Sequence, residues 1–187
     1  ANDDLWHLAK DLLEQLSGKG RREAGPHVTA KAFAERAEEE FAFYRQLCSA
    51  FKARAVITAD VGGLIVSRGR LLINADLSVP PSRVAALLTH EVGTHVVTYY
   101  NGRQQPFQQL YSGLAGYEEL QEGLAVLSEY LVKGLSRVRM RQLAARVVAV
   151  RHVTGGAAFG PSAGPNPYIP SAVGVYGMPS FVGSGGQ

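Results

Sequence analysis

The chain has 187 residues, of which 46% are hydrophobic and 19% are charged. This length and composition suffice for one domain with a hydrophobic core, and they exclude a disordered polyelectrolyte and a membrane protein. The net charge of +3 gives no support for a nucleic-acid partner. Because Cys48 is the sole cysteine and the first residues do not resemble a signal peptide, we expect a reducing, cytoplasmic setting.

The hydrophobic pattern predicts an α+β fold, with five helices around one small antiparallel sheet. The helices are expected near residues 5–16, 29–51, 81–102, 117–133 and 137–152. The glutamates at 38–40 start the polar side of the second helix and are expected to be solvated. Short β-rich runs at 55–58, 63–66 and 70–73 predict the strands, and a tight turn at residues 67–69 joins the last two.

The composition changes abruptly after His152. Residues 154–187 contain no charged side chain and are rich in glycine and proline, which is typical of a flexible tail. We therefore expect a domain over residues 1–153, followed by a tail over 154–187 whose scattered aromatic and aliphatic side chains could still dock onto a groove.

The third helix carries a group of residues that points to chemistry. Its sequence His90-Glu91-Val92-Gly93-Thr94-His95 lies within an otherwise apolar run. Burying an unpaired charge there would cost on the order of several kcal/mol. A metal or a charged partner is therefore expected to offset this cost. A zinc ion bound by the two histidines is one such partner.

The spacing of the two histidines differs from that of the usual zinc-protease helix, in which they are four residues apart. A spacing of five separates the side chains by about 140° on a regular α-helix, because each residue turns about 100°. A single π-bulge would bring both rings to one face. We expect such a bulge near Gly93, since glycine best tolerates a distorted backbone.

Two histidines leave a tetrahedral zinc site one protein ligand short before water. The following helix offers four glutamates, which taken singly are typical of a solvated helix face: Glu118, Glu119, Glu122 and Glu129. We favour Glu122 because Gly123 follows it, and a glycine allows another backbone to approach closely.

These motifs carry a resemblance. The segment 90–95, followed by Gln121-Glu122-Gly123-Leu124-Ala125, resembles the bacterial QEGLA-motif (flavohaemoglobin expression-modulating) family and its animal relatives, the microtubule-associated tyrosine carboxypeptidases. The resemblance covers about residues 5–152. It implies a zincin-like metallopeptidase domain that binds one zinc ion and removes a C-terminal Tyr or Phe. By the same resemblance, His90, His95 and Glu122 are the zinc ligands, and Glu91 is the general base for attack by metal-bound water.

The resemblance departs from the family after His152, where family members continue with charged, helical sequence. Substrate-pocket residues from that region are therefore not carried over. Elsewhere, a terminal carboxylate calls for an arginine, and the candidates are Arg68, Arg70 and Arg103. An aromatic pocket could come from residues around the loop between the two ligand helices: Tyr99, Tyr100, Phe107, Tyr111 and Tyr117.

Three functions remain open at this stage. The first is a zinc carboxypeptidase acting on a peptide or protein C-terminus, in which one of the tyrosines, such as Tyr117, could contact the substrate. The second is a zinc endopeptidase, which would need no cation for a terminal carboxylate. The third is a non-catalytic metal-binding regulatory module, and Glu91 argues against it because a structural zinc site does not need an acid beside a ligand.

Overall fold

A computed structural model of the chain describes residues 2–16 and 25–156. Contacts group the chain into two units, one built on the first and last helices and the other on the elements between them. Most of the expected tail, residues 157–187, lies outside the described residues, so the boundary after residue 153 stays a prediction. No helix in the described ranges is long and apolar enough to cross a membrane.

The first unit consists of helix α1 (Asp3–Gln15) and helix α7 (Arg137–Thr154), both close to their predicted bounds. Arg141 of α7 donates a hydrogen bond to the carbonyl of Leu13 on α1, at 2.6 Å. Small and aliphatic residues from both helices form the buried core between them: Ala9, Leu13, Ala144 and Val148.

The second unit contains a helix-rich arrangement with two small sheets, which confirms the α+β class. Two features were not predicted, namely the one-turn helix α5 and the two-stranded sheet of β1 and β5. The elements in chain order are β1 (Val28–Thr29), α2 (Ala30–Leu47), β2 (Ala55–Thr58), β3 (Leu64–Ser67), β4 (Arg70–Asn74), β5 (Ser78–Val79), α3 (Pro81–Leu88), a π-helical segment (Thr89–Val96), α4 (Val97–Arg103), α5 (Gln109–Ser112) and α6 (Tyr117–Leu131).

The three-stranded sheet corrects the prediction of a purely antiparallel sheet. Its order is β2-β4-β3, with β3 antiparallel and β2 parallel to β4. Two successive chain reversals restore the original direction, and β4 lies between the other two strands. The central position suits β4 because Leu71 and Ile73 are fully buried in the core of the second unit.

The turn between β3 and β4 brings the sheet against α4. Arg68 and Gly69 have φ values of 50° and 71°, the left-handed pair that a tight hairpin turn requires. A Cβ atom at Gly69 would lie 2.6 Å from ring atoms of Tyr99 and 2.9 Å from the Tyr100 ring. The predicted turn is therefore confirmed, and glycine is needed in it for close packing as well as for its φ.

Glu38 differs from the solvated role expected for the glutamates at 38–40. One of its carboxylate oxygens accepts the backbone N–H of Ala55 at 2.8 Å, and the other pairs with Arg45 at 2.9 Å. Arg45 also donates to the carbonyl of Ala53 at 2.7 Å. The two side chains thus attach the start of β2 to α2.

Candidate metal centre

The central helix is continuous from Pro81 to Arg103, and its middle is π-helical from Thr89 to Val96. Backbone hydrogen bonds of a π-helix join residues five apart, so residues at this spacing lie one above the other. The rings of His90 and His95 are accordingly neighbours, with centroids 5.0 Å apart. The predicted widening of the helix between the two histidines is confirmed.

Gly93 has a smaller part in this distortion than we expected. Its φ is not in the left-handed region. A Cβ atom at this position would meet ordinary contacts only, at 3.5 Å from Thr89 Cγ2 and 3.7 Å from Tyr44 Oη. A side-chain hydrogen bond supports the wide turn instead, since the buried Thr94 hydroxyl donates to the Thr89 carbonyl five residues earlier at 3.2 Å.

Helix α6 contributes a carboxylate to the same place. The two oxygens of Glu122 lie 3.4 Å from His95 Nε2 and 3.8 Å from His90 Nε2. The three residues each offer one ligand atom within 4.8 Å of the others, so they form a group that could hold a metal ion. The close approach of another backbone that we expected at Gly123 does not occur, however, because nothing lies within 4 Å of a Cβ atom there. The prediction of Glu122 from its glycine neighbour was therefore made for a wrong reason.

The donor set and spacing of this group suit zinc. Zinc bonds of about 2.1 Å in a tetrahedron place neighbouring ligand atoms about 3.4 Å apart. The two Glu122 distances, 3.4 and 3.8 Å, are at or near that value. Two imidazole nitrogens and one carboxylate oxygen match a common catalytic zinc set, which keeps its fourth position for water or substrate.

The other three glutamates of α6 have different environments. Glu118 and Glu119 are exposed in the first turn of the helix. Glu129 is fully buried, with one oxygen 2.9 Å from His90 Nδ1 and the other 2.9 Å from the guanidinium of Arg83. The sequence predicted Glu129 only as one of four possible ligands. Its spacing of seven residues from Glu122 places both on one face of α6, and this spacing could have indicated that Glu129 lies near the site.

His95 lies in a partly buried environment in which the neutral ring is favoured. Burial lowers the pKa of His95, and the nearby His90 lowers it further, while Glu122 acts in the opposite direction. The side chain of Gln121 also raises this pKa. Adjacent residues of α6, Gln121 and Glu122, therefore both engage the π-helical segment.

The expected general base, Glu91, lies next to His90 on the π-helical segment and is half-buried. Arg103 is the candidate for binding a terminal carboxylate that follows the π-helical segment in the chain. Arg103 is exposed at the end of α4 and donates a hydrogen bond to the Tyr99 hydroxyl at 3.3 Å. Its guanidinium also lies 5.2 Å from the ring centre of Tyr111, which is within the range of a cation–π contact.

The remaining pocket candidates are spread over several environments. Arg68 and Arg70 flank Gly69, the residue that packs against the Tyr99 ring. Tyr117 begins α6 beside Gly113, and burial raises its pKa. Two of the aromatic candidates have environments that do not fit the wall of a pocket. Tyr100 packs on the core residue Phe51, with ring centres 4.6 Å apart, and Phe107 is exposed.

The chain matches a known protein family. The family described as microtubule-associated tyrosine carboxypeptidase matches residues 1–161, which is most of the chain. No curated protein and no solved structure matches the chain.

Proposed function

Because the chain belongs to the microtubule-associated tyrosine carboxypeptidase family, we propose that it removes a C-terminal tyrosine or phenylalanine from peptides or proteins with the help of zinc. The family description carries the carboxypeptidase part of the proposal. The observation that supports the zinc part is the π-helical segment, in which two histidines five residues apart face the same carboxylate. We further propose that the second unit is a zincin-like metallopeptidase fold.

In this proposal His90, His95 and Glu122 hold the metal. A zinc ion bound there would polarise the scissile carbonyl and acidify water. Their ligand atoms already lie within 4.8 Å of one another, so the side chains need only small movements to close on an ion. The Nε2 atoms of both histidines face Glu122, which is the orientation that binding of one ion requires.

Glu91 would act as the proton carrier. Its carboxylate would take a proton from the attacking water and deliver it to the nitrogen of the departing residue. The position directly after a ligand histidine suits this role, as in zinc-protease helices in which a glutamate follows the first histidine.

Arg103 is the arginine that we favour for the terminal carboxylate of the substrate. Its guanidinium is exposed and lies beside the rings of Tyr99 and Tyr111, so a cation and aromatic surfaces occur together. A guanidinium can pair with a carboxylate through two parallel hydrogen bonds. Arg68 and Arg70, on either side of the turn that packs on Tyr99, are the alternatives.

Metal analysis combined with mass spectrometry of peptides tests the proposal. We expect about one Zn²⁺ per chain, as for a single three-ligand site, and release of Tyr or Phe from peptides with a free C-terminus. An amidated copy of the same peptide should resist. Glu91→Gln should keep the zinc and lose at least about 100-fold in rate, whereas Glu119→Gln, at an exposed position on α6, should match the wild type.

Each alternative gives a different result in these assays. Internal cleavage of the amidated peptide would indicate an endopeptidase. Stoichiometric zinc without release of any residue would indicate a binding module. Absence of zinc from a chain refolded with excess Zn²⁺ would refute the metal site itself.

A further inference from the structure

The carboxylate of Glu129 is buried beside the candidate metal centre. Its side chain has 0% exposure to solvent, which is rare for a glutamate and requires partners for both oxygens. One oxygen lies 2.9 Å from His90 Nδ1 on the π-helical segment. The other accepts from Arg83 of α3 at 2.9 Å. Glu129 thus connects a charged residue of one helix to a metal-ligand candidate on another segment.

Arg83 is itself held in place, which keeps the carboxylate ionic. Its second terminal nitrogen donates to the carbonyl of Gly134 at 2.6 Å, just after α6 ends. Gly134 approaches α3 so closely that a Cβ atom there would lie 2.3 Å from the Cβ of Ala86. A guanidinium fixed at this distance stabilises the negative charge of Glu129.

An anionic carboxylate can only accept hydrogen bonds, so His90 must donate to it from Nδ1. The opposite ring nitrogen of a neutral histidine then has no proton and carries the lone pair. In this structure that atom, His90 Nε2, is the one that faces Glu122 at 3.8 Å. The hydrogen bond therefore selects the tautomer that can bind a metal.

We propose that Glu129 is a positioning residue for His90, which fixes its ring orientation and its Nδ1–H tautomer and so prepares Nε2 to bind zinc. This inference rests on the proposed function for the identity of the ligand. Carboxylates that orient ligand histidines typically contribute 10- to 100-fold to metal affinity.

The alternative is that Glu129 and Arg83 only join α3 to α6. The variant Glu129→Gln separates the two roles because glutamine has one acceptor oxygen where glutamate has two. The charged Arg83 would take that oxygen, and the amide NH₂ would turn towards His90 Nδ1. His90 would then have to accept at Nδ1 and carry its proton on Nε2, where zinc should bind.

The first measurement is the tautomer of His90 in the metal-free protein, read from long-range ¹H–¹⁵N spectra. We expect the Nδ1–H form in the wild type and a shift towards Nε2–H in Glu129→Gln. A wild-type ring protonated on Nε2 would overturn the proposal, and that measurement needs no variant to fold.

The second measurement is Zn²⁺ affinity by chelator competition, with thermal unfolding recorded for each variant. Glu129→Gln should weaken binding 10- to 100-fold. The double variant Arg83→Met/Glu129→Gln should recover most of that loss, because removing Arg83 frees the amide oxygen to accept from His90. Wild-type affinity in the single variant, or no recovery in the double, would contradict the positioning role. A wild-type chain that binds no Zn²⁺ would instead refute the proposed function.

Discussion

Replacement of Gly69 by alanine tests how the sheet holds the aromatic residues next to Arg103. Gly69 has a φ of 71°, and left-handed backbone costs an L-residue about 1–2 kcal/mol. The new methyl group would lie 2.6 Å from two ring atoms of Tyr99, about 1 Å inside normal contact distance. Overpacking of this kind costs about 1–3 kcal/mol. The free energy of unfolding should therefore fall by about 2–5 kcal/mol, with Tm lower by about 4–20 °C.

The same substitution should affect substrate binding more than metal binding. Tyr99 accepts the hydrogen bond of Arg103, so a displaced ring also moves the guanidinium. We expect a higher KM for a Tyr-terminated peptide. The zinc content should be unchanged, because none of the proposed zinc ligands is Gly69, Tyr99 or Arg103.

Gly123→Ala is the matched control for this experiment. It adds the same methyl group to α6 where nothing lies within 4 Å, and it should raise stability by about 0.5–1 kcal/mol. Thermal unfolding followed by circular dichroism measures both variants. Unchanged stability in Gly69→Ala would refute the packing argument, and a reduced KM would refute the link to Arg103.

Three further predictions concern the ligands and their support. Glu122→Ala should weaken Zn²⁺ binding by about 100-fold or more, since one of three protein ligands is lost, while Glu119→Ala should not; the reverse result in a chelator competition would refute the assignment. Gly134→Ala should lower the free energy of unfolding by about 1–3 kcal/mol through its clash with α3, measured by urea denaturation. Because the pKa of His95 is lowered in the folded metal-free chain, His95 binds a proton at a higher pH in the unfolded chain than in the folded one. Stability should therefore decrease as the pH drops below about 6.5, and His95→Gln should reduce that slope in denaturation curves at several pH values; an unchanged slope would contradict the shift.

The π-helical segment could be predicted from local information. Two ligand candidates five residues apart can share a face only if the helix widens, and the apolar residues on both sides showed that the helix continues through them. The spacing of the two histidines within a continuous apolar helix was therefore enough to predict the widened turn. A glycine at position 93 is not needed for it as we expected, because a Cβ atom there would meet no close contact.

Sheet pairing and close approach could not be predicted in the same way. The β-rich run at residues 70–73 predicted a strand, but such a run carries no information about which strand lies beside it. Similarly, Gly123 lies within α6 and Gly134 lies just after its end, and of the two only Gly134 meets another element closely. What distinguishes such positions is a neighbour distant in sequence.

The roles of the α6 glutamates follow from how that helix crosses the π-helical segment. Glu122 and Glu129 are seven residues apart, so they share a face and are separated by about 10 Å along the axis. Helical spacing alone makes them equivalent candidates for a ligand. His90 lies between them, with Nε2 towards Glu122 at 3.8 Å and Nδ1 towards Glu129 at 2.9 Å. Because only Glu129 meets Arg83, 46 residues away along the chain, only that carboxylate is buried as half of an ion pair. In our proposal the exposed Glu122 is the carboxylate that completes the metal site.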